Sequence, residues 1–406
     1  MLTLKVVMVF FEQIELAPPD PILGLAVAFN ADKRSYKVNL SVGVYKTADL
    51  NTPILASVKQ AEADLWISEK NKNYLPIDGD KTYLNEVGIL IFGKPFWETS
   101  SARIAAIQGV GGTGSLRLGM DFLKQEVNDH LYYSKPTWVN HLQMSSKVGM
   151  ITHAYPYYDV KNHCFEFDKM VAFLEKLTPK SILLLHAVCH NPTGADPTLE
   201  QWKLLSDLFL TKQLFPFFDF AYQGFAKGIE EDAAAIRLFA EAGHEMVVAN
   251  SFSKNFGLYG ERAGGLFVVT HSDQTAVHIT SQLKVLARTH YSNPPMHGAK
   301  IIAHILKDPL LKKQWEEELT VMRQHIIKMK EALTAQLILK SKKRDFSFLK
   351  ERHGLFCFCG LAKGEVDRLI SEYGIYMTED GRINVVGLNK DNLDYVVNAI
   401  IHVSEQ

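Results

Sequence analysis

ILLLHAVCHNPTGADPTLEQWKLLSDLFLTKQLFPFFDFAY, residues 182–222, decides the fold. Ile182–Val188 is a continuous apolar run with the length of a buried strand. Leu199–Leu210 follows as a helix, and Leu214–Asp219 is a second apolar run. Two strands that are apolar throughout, joined through a helix, belong to a parallel sheet covered on both faces. The same alternation extends in both directions. Arg103–Ile107, Gly149–Tyr155, Met246–Ser251 and Leu266–Thr270 read as strands, and Ser115–Val127 and Phe167–Leu177 as helices. The expected class is α/β, a large domain with a mostly parallel sheet flanked by helices, joined to a smaller α+β domain.

The ends of the chain carry different patterns. Residues 17–30 (APPDPILGLAVAFN) read as a proline-ridged entry followed by a short amphipathic helix. Residues 37–46 (KVNLSVGVYK) read as a strand running into a glycine turn. Beyond residue 308, Leu311, Trp315, Leu319, Met322, Ile326, Met329 and Leu333 form one apolar stripe on a helix of about six turns. Packing explains that stripe fully, so Trp315 is assigned to the core and not to a cofactor. Gly354–Cys359 is then a strand, Glu365–Glu372 a helix and Asp380-Gly381 a hairpin turn, and a last helix begins at Asn392. The division expected is 1–48 for an arm and part of the small domain, 49–308 for the large domain and 309–406 for the rest of the small domain.

Composition excludes several classes. Among 406 residues, 44 Lys+Arg against 45 Asp+Glu give a net charge of -1, so no global basic excess is available for nucleic acid or anionic lipid. The run after Lys5 meets Glu12 and Glu15 and is too short to span a bilayer, so no membrane segment is expected and the simplest location is the cytoplasm. Cys164, Cys189, Cys357 and Cys359 lack metal or redox spacing and read as buried free thiols; no metal site is expected.

Three stretches carry chemistry. Gly109, Gly111 and Gly114 satisfy G-x-G-x-x-G between a strand and a helix, a backbone cradle suited to phosphate, with Thr113 adding a hydroxyl. Dinucleotide binding would need an acidic residue at the end of the next strand, and none stands there. A phosphate site, a dinucleotide site and a purely structural turn stay open on this motif alone. The second stretch, Ser251–Arg262, puts Lys254 directly after a buried strand, between hydroxyls and near a second cation. Desolvation and that cation would lower an amine's pKa and let it attack a carbonyl; a surface lysine ending a strand is the plainer alternative. The third is His190-Asn-Pro-Thr-Gly194 with Asp219-Phe-Ala-Tyr222, each starting where an apolar strand stops. Ligands of parallel sheets gather there. Asp219 needs a cationic or strong donor partner, such as a protonated pyridine nitrogen, and Asn191 and Tyr222 could reach a phenolate oxygen. Taken singly, each residue is as readily a turn former or cap.

Together these segments resemble a known family. SFSKNFGLYGERAGG (251–265) is similar to the cofactor-lysine segment of the aspartate and aromatic aminotransferases, fold type I enzymes that use pyridoxal 5′-phosphate. DPILGLAVAFN, VNLSVGVYK, NYLPIDGD, GGTGSLRLG, PTWVNH, HNPTGADPT, DFAYQGF, YSNPPMHGA and GRINVVGLNKDNLDYV follow in that family's order, over about residues 10 to 402. The resemblance implies a homodimer with shared active sites. Its ping-pong cycle would leave the donor's nitrogen on the cofactor for an oxo acid to collect.

By the same resemblance, Lys254 joins the cofactor and then moves the proton at substrate Cα. Asp219 keeps the pyridine nitrogen protonated, while Asn191 and Tyr222 bond the ring oxygen. Trp138 stacks on the ring. Gly112, Thr113, Ser251, Ser253 and Arg262 hold the phosphate, with Tyr74 from the neighbouring subunit. His141 and His186 lie beneath the ring. Arg382, assisted by Gly43 and Asn191, clamps the α-carboxylate, and Arg288 reaches in from the other subunit toward a side-chain carboxylate. Two arginines imply a dicarboxylate such as L-aspartate, with 2-oxoglutarate as the acceptor. The aromatic branch keeps both arginines, so aromatic L-amino acids are the alternative main substrates. Another reaction on the same cofactor, such as aspartate β-decarboxylation or a lyase step, is the further alternative, and an NAD-dependent oxidoreductase rests on the glycines alone. Ser41, Val139 and Thr289-His290 depart from the family's usual residues near the substrate pocket.

Overall fold

The computed structural model describes residues 10–405 apart from Pro19 and Pro21. Its centre is a seven-stranded sheet. The strands are β1 Ile104–Val110, β2 His130–Lys135, β3 Ile151–Pro156, β4 Ile182–His186, β5 Phe215–Phe220, β6 Met246–Ser251 and β7 Ala263–Val269. Their order is β1-β7-β6-β5-β4-β2-β3. The neighbours from β6 through β3 are parallel, whereas β7 lies antiparallel to both β1 and β6.

Successive residues of a strand face opposite layers. Leu184, Phe217 and Val247 turn toward one layer, where they meet Leu116 and Met120 of helix Gly111–Glu126 and Leu283 of helix Asp273–His290. Leu183, Phe218 and Val248 turn the other way, toward Leu205 and Phe209 of helix Leu199–Lys212 and the long helix Pro309–Lys340. A strand buried on both faces has no polar side to alternate, hence the continuous apolar runs.

Several elements differ from the sequence expectations. Only Val38–Asn39 of residues 37–46 form strand. Leu40 still bonds the Tyr376 carbonyl and the Asn384 N–H through its backbone. Beyond it side chains take over: Asn39 accepts from the Ser41 N–H at 3.0 Å, and Asn384 donates to the carbonyls of Val42 at 2.7 Å and Val44 at 2.8 Å. Strand β2 was not expected, because HLYYSK is half-polar and only partly buried. The Asp380-Gly381 turn forms, with Gly381 at φ +82°, but it is not a hairpin. Ile375–Tyr376 before it pairs in parallel with Val38–Asn39, whereas Arg382–Asn384 after it pairs with Phe356–Phe358. Helix Leu23–Ala31 has no buried face among its described side chains and so is not the amphipathic helix expected.

The long helix extends past its expected limits to 32 residues. Asp308 caps it, accepting from Leu310 at 2.8 Å, and Pro309 starts it without an N–H to satisfy. All seven stripe residues are buried. Trp315 stacks on Phe256 at 4.4 Å and donates its indole N–H to the Asn255 carbonyl at 2.8 Å. The core stripe thereby fixes the residue next to Lys254.

Among the described residues no helix is long and apolar enough to cross a membrane. Most of the apolar N-terminal run lies outside the described residues, as does part of the proline ridge, and its last residues, Phe10 and Phe11, are exposed. Cys189, Cys357 and Cys359 are buried thiols, but Cys164 is exposed, against expectation, in the short strand Cys164–Phe165.

Candidate active site

The carboxyl ends of β4, β5 and β6 deliver Asn191, Asp219 and Lys254 to one cavity of about 330 Å³. Gly112, Thr113, Trp138, Tyr222, Ser251, Ser253, Arg262, Gly43 and Arg382 line the same cavity, and His186 forms part of it. His141 stands one step back, bonded to a lining residue.

One end of the cavity is built for an anion. Helix Gly111–Glu126 begins directly after β1, so its first N–H groups and its dipole face the space. A Cβ on Gly112 would sit 2.9 Å from Ser251 Cβ, and one on Gly111 would sit 2.6 Å from Arg262 Nη2. The glycines leave room where backbone, hydroxyls and a guanidinium converge. Arg262 is held by its own backbone at φ +55°: its carbonyl accepts from the Gly111 N–H at 2.8 Å and its Nη1 donates to the Tyr259 carbonyl at 2.8 Å. Ser251 and Ser253 are buried, and their hydroxyls lie 3.2 Å apart, bonded to each other.

The middle holds a carboxylate and an amine. Asp219 Oδ2 lies 2.9 Å from His141 Nε2, and His141 Nδ1 lies 2.9 Å from the Thr137 hydroxyl. Burial acts to raise the Asp219 pKa, but the hydrogen bond and charge of His141, with His186 and Lys254, outweigh it, and Asp219 is held below its ordinary value. Burial, with His141 beside it, brings His186 down to about 3, so it is neutral. Lys254 Nζ sits 5.6 Å from the Tyr222 ring centre and 5.9 Å from that of Tyr259. Burial, helped by Arg262 and Arg382 and opposed by Asp219, lowers the lysine to about 8. Burial raises the Tyr222 phenol well above its ordinary value.

The far end holds Arg382, which is 4% exposed. Its Nη1 donates to Asn191 Oδ1 at 3.0 Å and its Nη2 to the Ser41 carbonyl at 3.2 Å, and its guanidinium lies 4.1 Å from the Phe356 ring centre. Burial lowers its pKa, and no carboxylate among the described residues forms an ion pair with it. A buried, unpaired guanidinium facing open space is a site for an anion. Gly43 leaves the approach clear, since a Cβ there would meet Phe356 at 2.9 Å.

Two expected site residues lie elsewhere in this chain. Tyr74 is 91% exposed, and Arg288 is exposed at the end of helix Asp273–His290, bonded to the Ser292 hydroxyl. They belong to one fastened surface: Asn293 donates to the Leu75 carbonyl at 2.7 Å, Lys284 pairs with Asp78 at 3.1 Å, and Gln108 donates to the Pro295 carbonyl at 2.6 Å. Of the unusual residues, Val139 lines the cavity and Ser41 supplies a carbonyl to Arg382. Thr289 and His290 do neither; the Thr289 hydroxyl returns to the Leu286 carbonyl and His290 sits 3.2 Å from Asp121.

Phe356 and Tyr259 were missed in the sequence. Phe356 lay inside an apolar strand, FCF, with nothing to separate it from core. Tyr259, whose hydroxyl accepts from the Tyr45 N–H at 2.7 Å, stood within the lysine segment itself and could have been singled out there.

Comparisons with known proteins bear on this arrangement. A family model described as aminotransferase class I and II matches residues 35–400. Aspartate aminotransferase of Escherichia coli K12 is 45% identical over 394 residues, covering 97% of this chain and all of that protein. Tyrosine aminotransferase of Klebsiella pneumoniae is 42% identical over 395 residues, covering 97% of this chain and all of its own. The crystal structure of an aromatic-amino-acid aminotransferase from Burkholderia pseudomallei, covalently bound to pyridoxal phosphate, superposes with a TM-score of 0.93 at 45% identity, covering 98% of this chain and all of that one.

Proposed function

This chain belongs to the class I and II aminotransferases, and on that premise we propose that it moves the amino group between L-aspartate and 2-oxoglutarate with pyridoxal 5′-phosphate. The observation that carries the transamination reading is Arg382, buried in the same cavity as Lys254 and with no carboxylate of the described residues paired to it, a receptor for the α-carboxylate. The dicarboxylate preference rests on Arg288 serving a second copy. An aromatic L-amino acid as main donor is the second reading, favoured by the tyrosine and aromatic aminotransferases among its relatives.

The residues fit the cofactor. His186 is buried with both ring nitrogens unpartnered, and the two glycines at the helix start leave space that a Cβ would fill. Phosphate suits Gly112, Thr113, Ser251, Ser253 and Arg262; a protonated ring nitrogen suits Asp219; a ring oxygen suits Asn191 and Tyr222. When bound, pyridoxal phosphate supplies an electrophilic carbon for the amino group and a ring that spreads the electrons left as Cα–H breaks.

The chain's own groups do the rest. His141 holds the Asp219 carboxylate in place and ionised, ready to accept an N–H. Lys254, whose amine burial lowers to about 8, would hold the cofactor's electrophilic carbon and, once free, would take the proton from substrate Cα. Trp138 covers one face of the cavity, and its ring sits edge-on to His141 at 5.2 Å. Arg382 receives the substrate α-carboxylate as a bidentate pair and orients Cα toward Lys254.

The functional unit we infer is a homodimer. Arg288 and Tyr74 share one fastened surface away from their own cavity, which supports their serving the cavity of a second copy. Arg288 would then read the distal carboxylate and Tyr74 the phosphate. The small domain, 1–48 with 309–406, would close over the 49–308 domain and exclude water. Replacement of Lys254 by alanine tests the assignment: transamination should collapse while the cofactor still binds, and wild-type turnover would overturn it.

A further inference from the structure

A second cavity, of about 540 Å³, shares no lining residue with the active site. We propose that it is a small-molecule site for a carboxylate with an apolar body, such as an aryl- or alkyl-carboxylate. Helix Pro309–Lys340 forms one wall through Ile326, Lys330 and Thr334; the segment from Leu349 to Gly354 forms the other, and Phe225 lies between them. Its volume falls within the range of ligand pockets, roughly 300–1,000 Å³.

The polar groups define the ligand. Lys330 is only 6% exposed and lines the cavity. Its Nζ donates to the carbonyls of Arg352 at 2.9 Å and Gly354 at 3.0 Å. An ammonium has three protons, so one remains for a ligand. No carboxylate among the described residues pairs with it. The buried carboxylate whose charge acts on Lys330, Asp196, is already committed to the N–H groups of Cys189 and His190, both at 2.8 Å. Thr334 Oγ1 and Arg352 Nε are also buried without a partner. Lys350 adds positive charge at the exposed rim, against Glu331 alone. A buried cation normally has a counter-ion, and here an anion from outside would supply it. Phe225, Ile326 and Leu349 are buried apolar walls for the rest of such a molecule.

The cavity is held open by the backbone that holds the active site. Phe225 stands three residues beyond Tyr222, and Gly354 two residues before Phe356. The Gly194 carbonyl, in the loop that carries Asn191, accepts from the His353 N–H at 2.8 Å. Collapse of the walls would therefore disturb the active site itself, so the space persists.

Calorimetric titration of the holoenzyme with 4-phenylbutyrate, in saturating succinate to occupy the first cavity, tests the site. Binding should persist under succinate. It should fall at least about tenfold in Ala335→Trp, which fills the exposed rim and leaves aspartate turnover unchanged. Lys330→Met should weaken 4-phenylbutyrate about tenfold or more while leaving the neutral 4-phenylbutyramide unaffected. Should that variant fail to fold, the wild-type enzyme must still prefer the acid to the amide by about tenfold. Binding that Ala335→Trp leaves unchanged, or equal binding of acid and amide by the wild type, would overturn the proposal.

Discussion

His141 Nε2 lies 2.9 Å from Asp219 Oδ2, and both residues are buried. The histidine turns a costly buried carboxylate into a fixed acceptor aimed at the cavity. Replacing Asp219 by Asn keeps the shape but removes the negative charge. Transamination should drop by about 10²- to 10³-fold, the scale of losing one preorganised electrostatic partner. His141→Phe should have a smaller effect in the same direction. Steady-state rates decide it, and a wild-type rate in Asp219→Asn would contradict the role.

Lys254 is brought from 10.5 to about 8 in the fold. Only the neutral amine is nucleophilic, so its fraction rises as pH passes the folded pKa. Covalent uptake of pyridoxal phosphate by the cofactor-free protein should speed up with pH and level off above about 8. A midpoint near 10.5 would mean that the lysine is not desolvated.

In the proposed dimer, Arg288 and Lys254 of one chain serve different cavities, and each cavity pairs Lys254 of one copy with Arg288 of the other. A chain carrying Arg288→Ala should lose aspartate turnover far more than phenylalanine turnover. A chain carrying Lys254→Ala should lose both. Mixing the two chains under conditions that exchange subunits should restore aspartate turnover, with about one intact site per mixed dimer. No recovery, alongside demonstrated exchange, would refute shared sites.

Trp315 joins the long helix to the lysine loop by stacking on Phe256 and bonding the Asn255 carbonyl. Trp315→Ala should destabilise the protein by about 3–5 kcal/mol, the usual range for emptying a buried aromatic site. It should also lower turnover at temperatures where the chain stays folded. Denaturant titration with parallel assays separates these effects, and a loss below about 1 kcal/mol would mean that the stripe is not core.

Much of the site was legible because its groups sit in short segments at strand ends. Asp219 sits at the end of an apolar strand and Asn191 and Lys254 follow theirs within a few residues, so the sheet places all three at one edge. The antiparallel β7 was not legible, since AGGLFVV is buried on both faces and carries no mark of direction. Ser41 and Phe356 act through contacts more than 300 residues apart in sequence, as with the Ser41 carbonyl and Arg382. Residues 37–46 resembled a strand because β-branched residues alternate there, yet side-chain amides satisfied the backbone first.

The most direct test of the central claim is the absorption spectrum of the purified holoenzyme, recorded before and after aspartate is added, with phenylalanine in a separate sample. A visible cofactor band should give way to a near-ultraviolet band with either donor, and faster with aspartate. A chain that shows no visible band even with added pyridoxal phosphate, or a band that neither amino acid shifts, would contradict transamination at Lys254.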